Sequence, residues 1–193
     1  MHPRVQTLPA FPPERVYATE MPESLRYAGY ALRWATGNDG VFLRELYAWL
    51  RAEELAPVAW PESAKAAFLD SQFGLQHRHF VQHFADAEFL ILECKGEPVG
   101  RLYVSREKED WLVIDIGLMP AHRGKGVGSA LLMQLLATAA QQGARSVALH
   151  VELRNVRAHA LYRRLGFRDE SREGFHQLMR WHASGGDVQL NIA

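Results

Sequence analysis

Three glycines alternate within five residues in the segment Leu118-Met119-Pro120-Ala121-His122-Arg123-Gly124-Lys125-Gly126-Val127-Gly128-Ser129, which lies between a strand pattern and a helix pattern. Glycine at such positions lets the main chain approach a ligand and turn its amides inward. The helix behind adds unpaired N–H groups and the positive end of its dipole. With Arg123 and Lys125 beside them, these features make a cradle for a pyrophosphate. A glycine-rich turn without a ligand is the other reading, and three clustered glycines are costly for a mere turn. The charge distribution favours the anion. The chain is neutral, with 22 Lys and Arg against 22 Asp and Glu, but residues 112–168 hold 8 basic groups and 2 acidic ones. A local basic block in a neutral protein suits a small anionic ligand, whereas a nucleic-acid backbone needs a broadly basic surface. No nucleic-acid partner is expected.

Two familiar phosphate motifs fit poorly. A P-loop needs glycine five residues before Gly124, where Met119 stands, and Ser or Thr after Lys125, where Gly126 stands. A dinucleotide turn is closer, with Gly124-x-Gly126-x-x-Ser129 and Glu152 about one strand later. Ser129 replaces its third glycine, and Pro120 to Arg123 intervene between strand and loop. Further on, Asn155 and Tyr162 are seven residues apart, two helical turns, so they share one helix face and can address one ligand.

The elements that must position these residues alternate in character. Tyr30 to Ala35 reads as a strand, and Thr36-Gly37-Asn38-Asp39 supplies a turn and a helix N-cap. The following helix, about 39–54, carries Phe42, Leu46, Trp49 and Leu50 as its apolar stripe. A second helical region follows Pro61 and runs with breaks to about Phe84. Strands at 88–94, 99–105 and 111–118 come in quick succession, the first two joined by a short turn, which predicts an antiparallel meander. The rhythm then changes to a helix at 126–142, a strand at 146–151, a helix from Asn155 to a stop at Gly166, and a closing hairpin around Gly174. The class is α/β: a mixed sheet with helices on its faces.

Length and composition set the frame. The 193 residues make one domain with extensions, and 48% apolar with 23% charged residues match a globular protein. Five of nine prolines fall within the first 22 residues, so 1–27 reads as an extended N-terminal arm, 28–182 as the single domain and 183–193 as a C-terminal tail. No apolar run is long enough to span a bilayer and no secretory h-region opens the chain, so no membrane partner is expected. One cysteine, Cys94, leaves no intramolecular disulfide, and a cytoplasmic location is the expectation. Cys94 follows an apolar strand and reads as a buried, inert thiol.

Arg123-Gly124-Lys125-Gly126-Val127-Gly128 resembles the Arg/Gln-x-x-Gly-x-Gly/Ala signature of the GCN5-related N-acetyltransferases. Asn155-Val156-Arg157-Ala158-His159-Ala160-Leu161-Tyr162-Arg163-Arg164-Leu165-Gly166-Phe167 resembles their second signature, Asn-x-x-Ala-x-x-Leu-Tyr-x-x-x-Gly-Phe, in the same order and spacing. The resemblance spans roughly residues 29–181. It implies a mainly antiparallel central sheet with helices on both faces and a splayed central strand pair, here 111–118 and 146–151. It implies acetyl-coenzyme A as co-substrate, held at Arg123, Gly124, Lys125, Gly126, Val127, Gly128 and Ser129, with Asn155 beside it and main-chain groups near Leu118 polarising the thioester carbonyl.

On that resemblance Tyr162 is the general acid for the departing thiolate. Its other reading is a packed core tyrosine beside Leu161 and Leu165. Amine attack also needs a proton acceptor, and Asp115 and Glu152 are the two acids of the basic block. Asp115 also reads as a paired sheet carboxylate and Glu152 as a surface acid near Arg154. No metal is expected, because His79 and His83 stand one helical turn apart without a third ligand. Gln72, Phe73, Gln76 and His79 lie on the helix that covers the acceptor in relatives. The activity implied is acetyl transfer to a primary amine, of a small molecule or a peptide, by direct attack; the alternative is a non-catalytic acyl-coenzyme A sensor. The arms could clasp a second copy as a homodimer.

Overall fold

The computed structural model describes residues 8–15, 19–107 and 109–183. Seven strands form one sheet in the order β1-β2-β3-β4-β5-β7-β6. Strands β2 (Glu88–Cys94), β3 (Glu97–Glu107) and β4 (Asp110–Leu118) pair antiparallel as the expected meander, and β1 (Tyr30–Trp34) adds to its edge antiparallel to β2. Strand β5 (Ser146–Glu152) runs parallel to β4, and the hairpin of β6 (Arg168–Glu173) and β7 (His176–His182) closes the sheet with β7 antiparallel to β5. Helices α2 (Gly40–Leu55) and α3 (Glu62–His83) cover one face through Leu43, Tyr47 and Phe73, packed on Phe89, Ile91 and Tyr103. Helices α4 (Val127–Gln141) and α5 (Val156–Arg164) cover the other through Leu132, Leu135, Leu136 and Tyr162, packed on Val113, Val147, Leu149 and Val151. The architecture is the mixed sheet with two helical layers that the sequence pattern predicts, mainly antiparallel as the family resemblance implies. No helix among the described residues is long and apolar enough to cross a membrane.

The central strand pair separates for a local reason. Ladder pairing between β4 and β5 runs only from Asp110↔Ser146 to Val113↔Leu149. Immediately beyond, β4 bulges: Tyr103 faces Asp115 and Val104 faces Val113, so Ile114 has no partner on β3. A bulge bends its strand and increases its twist. From that point β4 and β5 diverge and a gap opens between them. Helix α2 can lie close to the diverging end of β4 because Gly117 has no side chain; a Cβ there would sit 2.8 Å from a Leu50 methyl.

Several local expectations shift. The buried stripe of α2 is Leu43, Leu46 and Tyr47, whereas Trp49 is 48% exposed and Phe42 only partly buried. The helix is rotated by about one residue because Tyr47 stacks on Phe73, ring centroids 5.8 Å apart. The region after Pro61 is one unbroken helix, with Gly74 buried inside it, where tertiary packing outweighs the low helix propensity of glycine. The segment read as an extended arm contains a short helix, α1 (Glu23–Tyr27). Part of it is also pinned to the core: Phe11 packs on Phe89 and His77, and His77 Nε2 lies 2.8 Å from the Pro9 carbonyl oxygen, placed to donate to it. Cys94 is partly exposed rather than buried. Residues 1–7 of the arm and 184–193 of the tail lie outside the described residues.

The 3₁₀ turn Gly37–Asp39 that leads into α2 opens with a capping box. Thr36 Oγ1 accepts from the Asn38 amide, while Asp39 accepts from the Thr36 amide at 2.7 Å and from both Arg33 Nη atoms at 2.6 and 2.9 Å. Burial acts to raise the Asp39 pKa, but the Arg33 and Thr36 contacts outweigh it and hold the carboxyl below its usual range. Asp39→Ala is expected to lower unfolding free energy by about 2 kcal/mol at neutral pH. A depressed folded-state pKa contributes stability above the unfolded-state value, so the gap between wild type and variant closes as pH falls below about 4. Urea melts at several pH values check both size and sign.

Candidate active site

The glycine loop is built as its spacing predicts. After β4 ends at Leu118, one 3₁₀ turn over Pro120–His122 leads to Gly124 and Gly126, with φ of 71° and 79°. Both values lie in the left-handed region that side chains with a Cβ disfavour. Among the described residues nothing lies within 4 Å of where a Cβ would stand at either glycine, so the loop borders open space. Helix α4 begins at Val127 with no side-chain cap, which leaves the amides of Val127, Gly128 and Ser129 at its free N-terminus. Gly128 lies beside a Leu118 methyl. Lys125 is exposed, and the exposed Arg123 folds back so that its Nε donates to the Leu118 carbonyl at 2.8 Å. The loop is tied to β1 by a 2.9 Å contact between the Tyr30 hydroxyl and His122 Nδ1.

The gap between β4 and β5 opens into a cleft of about 580 Å³. It holds Asp115, Glu152, Asn155 and Tyr162, all four nominated from sequence. Its walls end on β4 at Ile116, two residues short of Leu118, where the strand ends and the glycine loop follows. Tyr162 is 8% exposed, held against Phe167 at 5.9 Å between ring centroids. Its hydroxyl makes no hydrogen bond to protein among the described residues. Burial, with the Asp115 charge adding, pushes its pKa up to about 12, so the phenol stays protonated at physiological pH. Asn155 uses its side-chain oxygen to cap α5, accepting from the Ala158 amide at 3.1 Å.

Both carboxylates are held by guanidinium groups, of which the sequence points only to Arg154, beside Glu152. Arg101, 2% exposed in the middle of β3, donates to Asp115 Oδ2 at 2.6 Å and to Gln76 Oε1 of α3 at 2.9 Å, and lies 5.2 Å from the centroid of the Tyr103 ring. Glu152 contacts Arg51 of α2 and Arg154, and Glu54 contacts the same two arginines. Partial burial tends to raise the Glu152 pKa, yet the Arg154 hydrogen bond and the Arg51 charge prevail and lower it. Gln76 and His79 line the cleft, while Phe73 belongs to the core. Arg101 did carry a signal: a lone cation in the apolar run from Val99 to Ser105 demands a buried partner. His150 and His176, also in the walls, had none.

The acetyltransferase (GNAT) family profile matches residues 43–167, more than half of the chain. The chain belongs to this family. An uncharacterized N-acetyltransferase of Mycobacterium bovis is 33% identical over 115 residues, 58% of this acetyltransferase and 72% of the relative. The mycothiol acetyltransferase of Streptomyces coelicolor is 30% identical over 151 residues, 77% of this chain but 46% of its own. Among solved structures, the PaiA N-acetyltransferase of Thermoplasma acidophilum in complex with coenzyme A superposes with a TM-score of 0.63 at 17% identity, covering 79% of this chain and 98% of its own. The ribosomal-protein-S18-alanine N-acetyltransferase of Escherichia coli does so with a TM-score of 0.58 at 18% identity, covering 83% and 98%. At these identities the structural likeness speaks to the fold.

Proposed function

We propose that this acetyltransferase moves the acetyl group of acetyl-coenzyme A to a primary amine by direct attack. The observation that carries the reading is the placing of an uncapped glycine loop just past the end of β4, the strand that also lines a cleft holding a buried phenol with no hydrogen bond among the described residues. The diphosphate sits on the amides of Gly124 to Ser129 with Arg123 and Lys125 alongside, and the pantetheine arm fills the gap where β4 and β5 part. Main-chain groups near Leu118 guide the arm toward the cleft, and Asn155 fixes the start of α5 so that Tyr162 faces the sulfur. The relatives add support, since PaiA is a complex with coenzyme A and the yncA acetyltransferase of Salmonella typhimurium a complex with acetyl-coenzyme A. Tyr162 delivers its proton to the leaving thiolate. Asp115 and Glu152, each bound to arginine, shape the acceptor side of the cleft. The acceptor is a small amine or a peptide amine, in line with the mycothiol and S18-alanine enzymes among the relatives.

The arginine-bound carboxylates favour one second reading, a sensor that binds acetyl-coenzyme A without turning it over. Release of free thiol from acetyl-coenzyme A across a panel of primary amines separates the two. Amine-dependent release supports the transferase, and saturable binding without release for any amine supports the sensor.

A further inference from the structure

We infer that His150 is the proton acceptor for the attacking amine, a position that neither signature contains. The assignment rests on the acetyl-transfer reading of the cleft.

His150 is the first residue of β5 beyond the last ladder pair, Val113↔Leu149, so it stands where the strands part. Side chains alternate along a strand, so His150 and Glu152 share a face. That face looks toward α2, because Glu152 contacts Arg51. Asp115 looks to the same side, since its partner Arg101 also binds Gln76 of α3. His150 is therefore across the gap from the bulge of β4, on the side open to an acceptor. It is exposed, lines the cleft, and has no hydrogen bond or ion pair among the described residues.

The carboxylates nearest His150 are otherwise engaged. Asp115 of β4 is bound by Arg101 of β3, and Glu54 of α2 and Glu152 of β5 by Arg51 and Arg154. Asp115 and Glu54 have oxygens committed to these guanidinium groups, and for Glu152 the Arg154 and Arg51 contacts lower the pKa, which makes it a poorer base. His79 of α3 stacks on His83 at 4.2 Å on the helical wall. At the outer end of the cleft, Glu173 of β6 faces His176 of β7, which pairs with Glu152, two residues beyond His150. Tyr162 of α5 is kept protonated by burial. Imidazole is the side chain suited to accept a proton near neutral pH.

The proton balance closes. The ammonium gives one proton to His150, which returns it to water. The freed lone pair forms the N–C bond, and the C–S bond breaks as the Tyr162 hydroxyl protonates sulfur. The second amine proton restores Tyr162. The products are the amide, coenzyme A thiol and one released proton.

The test uses the full chain with acetyl-coenzyme A and the best acceptor among tyramine, spermidine and alaninamide. His150→Gln is expected to bind acetyl-coenzyme A within about twofold of wild type while kcat/KM for the amine falls about 100-fold or more. The ascending limb of the wild-type pH profile flattens in that variant, and added imidazole restores turnover to His150→Ala but not to Tyr162→Phe. A His150→Gln enzyme that keeps both the rate and the limb overturns the assignment alone. Wild type that binds no acetyl-coenzyme A, or releases thiol with none of the amines, overturns the assignment together with the reading beneath it.

Discussion

Tyr162→Phe is expected to lower kcat by about 10²- to 10⁴-fold while leaving the affinity for acetyl-coenzyme A within about threefold. The two effects separate because a hydroxyl proton is needed when the C–S bond breaks and contributes little to binding the intact thioester. The substitution is also structurally mild. The Tyr162 ring packs against Phe167 and the hydroxyl has no hydrogen-bond partner in the protein among the described residues, so removing it leaves no orphaned group behind. Since the phenol pKa is pushed up to about 12, its ionisation causes no fall in kcat below about pH 10. Steady-state kinetics from pH 5 to about 10, with calorimetry on both proteins, checks all three statements. An equal loss of affinity with unchanged turnover removes Tyr162 from the acid role.

Arg101→Met is expected to be the most destabilising single change in the cleft wall. Arg101 is 2% exposed and Asp115 has a side chain only 16% exposed, so deleting the cation strands a largely desolvated carboxylate. Breaking a buried pair from one side costs about 3–5 kcal/mol. For a chain of this size that corresponds to a fall in Tm of roughly 6–20 °C. Removing both charges, as Arg101→Met with Asp115→Leu, recovers most of the loss, because an apolar pair of similar volume carries no desolvation penalty. Thermal melts of the three proteins decide the matter. A single variant as stable as wild type shows that the pair carries no weight.

What could be read from sequence was local, and what could not be was set by register. The glycine run declares a loop between strand and helix, and Asn155 before an amphipathic run declares an N-cap; each is found where expected, and Gly124 and Gly126 prove to be left-handed. The meander of β2, β3 and β4 and the closing hairpin followed from short turns, whereas the placing of β5 beside β4 was implied by the family resemblance. The partner of Asp115 was not legible, because it depends on the bulge at Ile114, which shifts the pairing of β3 and β4 by one residue. The link from Glu152 to Arg51 spans 101 residues and depends on how α2 crosses the sheet. The stripe of α2 was displaced for a related reason: Tyr47 found Phe73 of another helix, and helical periodicity alone does not say which of two neighbouring stripes has such a partner. Phe11 among prolines gave no periodic signal, yet it joins the ring cluster over β2 and β3.

The account rests on one binding event, the seating of a diphosphate on the amides between Gly124 and Ser129. Titration calorimetry of acetyl-coenzyme A into wild type and Gly126→Trp tests it. Among the described residues nothing lies within 4 Å of where a Cβ at Gly126 would stand, so the indole meets no protein atom at its root and puts its bulk beside the loop amides, at a folding cost of about 1–2 kcal/mol for the left-handed φ. The prediction is saturable binding to wild type and a loss of affinity of about 100-fold or more in a folded variant. No binding to wild type at millimolar ligand, or equal affinity in the two proteins, contradicts the account.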